Sequence, residues 1–148
     1  MTLTNKKSQQ SFSYSFKTPK TAEQVFKILL DVKQWWSGLY EETITGKSQQ
    51  PGDTFTFEAG GGAHYTEQKL TELVPHKSVA WLITKANLNF VEDPKEWEGT
   101  TIRFQLSPAG QGTEVTFTHE GLVQDFECYE ACSSAWMGYL DKLKNKVQ

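Results

Sequence analysis

The chain has 148 residues, with 15 Lys and Arg against 18 Asp and Glu, a formal net charge of −3, and 37% hydrophobic and 13% aromatic residues. A chain of this length buries ~70% of the surface it exposes when unfolded, so neither a metal nor a disulfide is needed to hold a core. Mild acidity without a basic block argues against a nucleic-acid surface, and no run approaches the ~18–20 apolar residues of a membrane helix.

Residues 1–10 are polar and lack the apolar stretch of a secretory leader, so they are expected as a flexible arm ahead of one domain over residues 11–148. Phe12, Tyr14 and Phe16 alternate with serines, the period of a strand with one buried face. Pro19 stops it. Thr21 with Gln24 forms a capping box, and Ala22, Val25, Phe26, Leu29 and Leu30 follow at helical spacing. Asp31 opens a second short helical segment with Trp35 and Trp36, ended by Gly38.

Strands are then expected from Leu39 to Thr45, around Phe55 and Phe57, from His64 to Val74, around Val79, Trp81 and Ile83, around Ile102, Phe104 and Leu106, and around Val115, Phe117 and His119. Pro51-Gly52-Asp53, Gly60-Gly61-Gly62, Pro75-His76-Lys77 and Pro108 to Gly112 supply the turns, and Ala86 to Glu98 forms a longer connection. From Asp125, a reasonable N-cap, the period changes: Tyr129, Cys132, Ser133, Trp136, Leu140, Leu143 and Val147 mark one face of a long helix. Short turns make the sheet antiparallel, and only the terminal helix is large enough to cover its apolar face. The expectation is an α+β protein whose curved sheet grips that helix.

Five segments in order carry a resemblance: Trp35-Trp36, "QQPGDTFTF" (49–57), "TELVPHKSVAWL" (71–82), "GTEVTFTHEGL" (112–122) and "ECYEACSSAW" (127–136). Together, over roughly residues 12–146, they resemble the START-like (SRPBCC) superfamily, and more narrowly the branch of heat-shock-protein ATPase activator homologues, with polyketide cyclases as cousins. The resemblance implies a helix-grip fold: a seven-stranded antiparallel sheet around a C-terminal helix, two short helices after the first strand, and a cavity between. Because the superfamily includes lipid carriers, cyclases, receptors and co-chaperones, it leaves the function open.

Strand and helix phase place Phe55, Phe57, Trp81, Phe104, Phe117 and His119, with Tyr129, Cys132 and Trp136 from the helix, toward that interior. With Trp36 they are the candidate ligand-binding residues. Rings meeting across a curved sheet leave either a slot for a hydrophobic, aromatic or lipid-like molecule or a filled core. His119 can orient a ligand or act as a general base; equally, it can be a structural histidine bonded to a neighbour. Trp35, Trp36, Phe90 and Trp97 form a lid, a sticky patch or a plug.

No catalytic residue is assigned, and enzymatic activity is the less favoured reading. A cyclase-like enzyme using His119 would need a second inward acid, for which Glu58 and Glu67 are the candidates. Glu41-Glu42 reads as a solvated edge. No metal or other cofactor is expected, because His64, His76 and His119 have no ligand spacing and Cys128 and Cys132 have no second pair. Those cysteines, four apart on a helical pattern, are badly placed for a disulfide and fit a reduced, cytoplasmic protein. The partners expected are a small hydrophobic molecule and, on the activator resemblance, a chaperone, with no nucleic acid and no membrane insertion.

Overall fold

A computed structural model describes residues 10–148. The arm expected over residues 1–10 lies, except for Gln10, outside the described residues. Strand β1 (Phe12–Thr18) is followed by helices α1 (Ala22–Leu30) and α2 (Val32–Trp35). Six strands come next: β2 (Thr43–Gly46), β3 (Thr54–Ala59), β4 (His64–Val74), β5 (Ser78–Leu88), β6 (Thr101–Ala109) and β7 (Gly112–Glu120). Helix α3 (Tyr129–Lys146) closes the chain. The strands form one antiparallel seven-stranded sheet in the order β1-β7-β6-β5-β4-β3-β2.

Register follows the apolar alternation, since a one-residue slip would send every side chain to the other face. Leu70, Trp81, Ile102, His119 and Phe12 are successive cross-strand partners, and the first four of them are fully buried. The opposite face is polar. There Arg103 bonds Glu72 at 2.8 Å and Glu120 at 2.6 Å, so Glu120 does face away from His119. Register shifts between Glu67 and Gln68, and between Leu70 and Glu72, are bulges that bend β4 and increase local twist.

The helices take their expected places for the expected reasons. Thr21 and Gln24 make both bonds of the capping box, and Val25, Phe26 and Leu29 bury the apolar face of α1. On α3 the buried side chains are Cys132, Trp136, Tyr139, Leu140 and Leu143.

Boundaries differ at three points. α3 begins at Tyr129 rather than at Asp125, and Cys128 at its N-cap makes no side-chain capping bond. The cap comes instead from the β5–β6 connection: the Glu96 carboxylate accepts the N–H groups of Glu127 at 3.0 Å and Cys128 at 3.5 Å. A remote anion at a helix N-terminus leaves no local sequence signal. β2 begins at Thr43 rather than Leu39, because the Glu42 carboxylate gathers the N–H groups of Gly38, Leu39 and Tyr40 into a turn. Glu42 is therefore not a solvated edge; it also accepts a hydrogen bond from the Tyr139 hydroxyl on α3. Finally, β5 runs on to Leu88, because the 11-residue β4 offers partners as far as His64.

The closure of β1 on β7 depends on a missing side chain. A Cβ at Gly112 would lie 2.0 Å from the Thr18 carbonyl oxygen. Gly112→Ala is expected to destabilise the fold by about 2–3 kcal/mol, read as a lower urea midpoint. Gly61→Ala, where nothing lies within 4 Å of the added methyl, bears only the strain of its φ of +70°, and should cost about 1 kcal/mol.

Candidate functional site

The interior does not fill completely. A cavity of about 260 Å³ lies between the first turns of α3, the β3–β4 hairpin, the loop after α2 and the β5–β6 connection. Its walls are Trp36, Phe57, Trp97, Trp136 and Tyr139, with Ala59, His64 and Cys132. Tyr40, Gly60, Ala63, Phe90, Ala131 and Ala135 complete the lining; of these, Tyr40 is 49% and Phe90 46% exposed, which puts them at the opening. The vacancy has a simple origin. Ala131 and Ala135, one turn apart on α3, carry only methyl groups, and Ala63 and Gly60 add nothing opposite.

The surrounding loops are held to one another by backbone bonds. Gly60 donates to Tyr40 at 2.9 Å, Asn89 to Ala63 at 2.9 Å, and Leu88 to Pro94 at 2.8 Å. Gly60, Gly61 and Gly62 all have positive φ, so this hairpin turn uses conformations other residues rarely adopt.

Four of the ten sequence candidates line the cavity: Trp36, Phe57, Cys132 and Trp136. Phe55, Trp81, Phe104 and Phe117 are fully buried in the core beside it but are not part of its lining. Tyr129 is half-buried and packs edge-on against Phe12 at 6.5 Å. His119 is inward and fully buried, but it too stands outside the lining.

Both His119 nitrogens are engaged. Nδ1 accepts the Trp136 indole N–H at 3.1 Å, and Nε2 lies 2.8 Å from the Thr100 hydroxyl. Indole can only donate, so Nδ1 carries no proton and Nε2 does. The Thr100 hydroxyl in turn donates to the Trp97 carbonyl at 2.6 Å. Burial, with the neighbouring His64, pushes the His119 pKa down to about 3. The ring meets Trp97 edge to face at 4.5 Å, and Trp97 and Trp136 lie parallel 6.3 Å apart. His119 therefore positions two walls of the cavity from behind.

Sequence reading missed His64, Trp97 as a wall, and Tyr139. His64 is in strand phase with the buried Thr66 and Gln68, a signal obscured by the glycine turn before it. Its ring packs against Phe57, Phe90 and Trp97, its Nδ1 is buried without a partner, and burial lowers its pKa to about 4. Trp97 is 3% exposed and donates its indole N–H to Cys128 Sγ at 3.2 Å. Trp35 and Trp36 stack on one another and are both buried, but only Trp35 stands clear of the lining as a plug in the core; Trp36 faces the cavity, and Phe90 is an exposed lip.

The charged groups near the cavity are few. Burial raises the Glu42 pKa, but the Tyr139 hydroxyl and the backbone N–H groups of Glu42 itself, Tyr40 and Gly38 outweigh it, and the carboxyl ends below its usual range. The Tyr139 hydroxyl moves up, through burial and then through Glu42. The Cys132 thiol is pushed up by its hydrogen bond with Cys128 and by burial, so it is no ready nucleophile. Of the two candidates for the one inward acid a cyclase would need beside His119, Glu58 is exposed and Glu67 lies 3.9 Å from Lys85. Among the described residues no group of three or more His, Cys, Asp or Glu could hold a metal ion, and no helix is long and apolar enough to cross a membrane.

Two histidines with depressed pKa values tie stability to pH. Above about 6.5 both states are neutral at these positions; as pH falls from 6.5 toward 4, the unfolded chain takes up protons that the folded one refuses. Folding stability should fall over this window with a contribution of up to about two protons. In ¹⁵N NMR, the His64 and His119 rings should stay neutral from pH 8 to pH 5.5, with His119 protonated on Nε2.

The chain matches, over residues 19–148, the profile of the "Activator of Hsp90 ATPase homolog 1-like protein" family. No curated protein matches its sequence significantly. Among solved structures it is similar to the Aha1 dimer from Colwellia psychrerythraea, at 26% identity and a TM-score of 0.73, covering 93% of this chain and 96% of that one. A Chromobacterium violaceum protein matches at 19% identity and a TM-score of 0.72, covering 93% and 96% of the two chains. A Mesorhizobium loti protein matches at 17% and 0.69, covering 92% and 95%. The last two likenesses speak for the fold alone. A family profile that takes in all but the first strand and the segment before it is decisive: the chain belongs to the Activator of Hsp90 ATPase homolog 1-like family.

Proposed function

We propose that this protein binds a small hydrophobic molecule, non-covalently and without a cofactor, in the cavity beneath the first turns of α3, in the cytoplasm. One observation carries the reading: a ring-lined hollow of about 260 Å³ with an opening at Tyr40 and Phe90. An apolar cavity of ~150 Å³ takes benzene, and sites for drug-sized ligands begin near ~300 Å³. The space therefore suits one or two fused rings, or a short lipid-like chain. Trp36, Phe57, Cys132 and Trp136 supply contact area, and His119 acts through the walls it holds. Two free, buried thiols fit a reducing compartment. Catalysis through His119 is not favoured, because both its nitrogens are already bonded.

A second reading has its own observation. Tyr40 and Phe90 at the opening are exposed large apolar residues, and Leu39, next to Tyr40 in the chain, and Met137 on α3 are exposed as well. Such a patch suits a protein partner, and the family's description points to a heat-shock-protein ATPase. Stoichiometric capture of that ATPase, lost on Tyr40→Glu with Phe90→Glu, would favour this reading.

The binding proposal is tested by ligand-observed NMR against a lipid and polyphenol library. At least one binder is expected, and Ala135→Leu, which extends into the hollow, should weaken it at least tenfold with an unchanged or raised melting temperature. A library without binders, or a binder indifferent to Ala135→Leu, would overturn it.

A further inference from the structure

The five tryptophans differ in one respect that bears on what the hollow accepts. Four indole N–H groups have acceptors: Trp35 donates to the Leu29 carbonyl at 3.2 Å, Trp81 to Ser48 at 2.8 Å, Trp97 to Cys128 at 3.2 Å and Trp136 to His119 at 3.1 Å. Trp36 has none among the described residues, although it is 2% exposed and lines the cavity. The rings packed on it offer nothing. Trp35 covers one face at 5.2 Å, and Phe55, Phe57 and Trp136 lie at 5.9, 4.8 and 5.0 Å. Phenylalanine has no acceptor, and indole is a donor only. The cavity is the side from which an acceptor can come.

The rest of the lining restricts what carries that acceptor. It contains no Lys or Arg, and its one imidazole, His64, is held neutral by burial. Behind Tyr139 stands the Glu42 carboxylate. An anionic guest would leave water with no counter-charge and would face a like charge one side chain away, both unfavourable.

Resting on the cavity reading above, we propose that the site selects an uncharged, planar molecule of one or two rings bearing a carbonyl-type oxygen, which accepts the Trp36 indole N–H, and that it rejects carboxylates of the same size. Ring faces give affinity, and the single donor gives orientation, because a guest that covers this N–H without accepting it strips its water and leaves it unpaired, which is penalised. His64, which packs on the same Phe57 ring as Trp36, supplies a second neutral polar edge.

The test uses three probes on the full chain: coumarin, which has the carbonyl; naphthalene, which lacks it; and 2-naphthoate, which adds a charge. Coumarin should move the Trp36 indole ¹H–¹⁵N resonance, assigned through its contacts with Phe57, downfield. Naphthalene should bind without that downfield shift, and 2-naphthoate should not bind at pH 7. In Trp36→Phe the ratio of coumarin to naphthalene affinity should fall at least tenfold. The proposal is overturned by an unmoved Trp36 resonance at coumarin saturation, by an unchanged ratio in the variant, or by 2-naphthoate binding the tightest. If Trp36→Phe does not fold, the resonance in the unaltered chain decides. Should none of the three bind, the cavity reading itself fails; should naphthalene bind and coumarin leave Trp36 unmoved, only the present inference does.

Discussion

The hydrogen bond from the Trp136 indole to His119 joins the two halves of the molecule. It links α3 to β7, and through Thr100 it continues to the backbone of Trp97 in the β5–β6 connection. Because an indole nitrogen never accepts, the direction of the whole chain is dictated from its first member. A protonated imidazole would put a donor against a donor and reverse nothing downstream. The histidine is consequently neutral by geometry as well as by burial, and the two large walls it spaces keep their separation.

The same logic explains why a core this rich in rings has an empty part. Trp35, Trp81, Phe104 and Phe117 pack edge to face or tilted, with centroids 5.1 to 6.3 Å apart, and fill the region between α2 and the sheet. Toward the N-terminal end of α3 the helix presents alanines, and the facing hairpin presents glycines and an alanine. Flat, stiff side chains do not reach across to occupy what small neighbours leave.

Most of the architecture was legible in the sequence because it rests on local periodicity. The alternation in β1, β3, β6 and β7, the capping box at Thr21 and the helical spacing from Cys132 to Leu143 each follow from backbone geometry alone. The losses came where a distant carboxylate determines the local path. Glu96 starts α3 from some thirty residues away in the chain, and Glu42 winds a segment whose alternation suggested a strand. For the site, phase identified Phe57, Cys132 and Trp136, with Trp36 added from the short segment after α1, yet it could not separate residues that touch the hollow from equally inward residues one strand nearer the filled core. Phase reports which face a side chain is on, not how far along the sheet the packing gives out. Thus Phe55 and Phe57, two positions apart on β3, divide between core and lining.

The glycine turn between β3 and β4 has a bearing on how such a protein diversifies. It contributes to the entrance, yet past Ala59 and before His64 it takes no part in the strand pairing. Lengthening or shortening it would alter the doorway while leaving the ladder and the indole–imidazole link untouched. The entrance of the cavity and the pairing of the sheet are thereby carried by separate stretches of chain, so the doorway can change length through an insertion that the ladder scarcely registers.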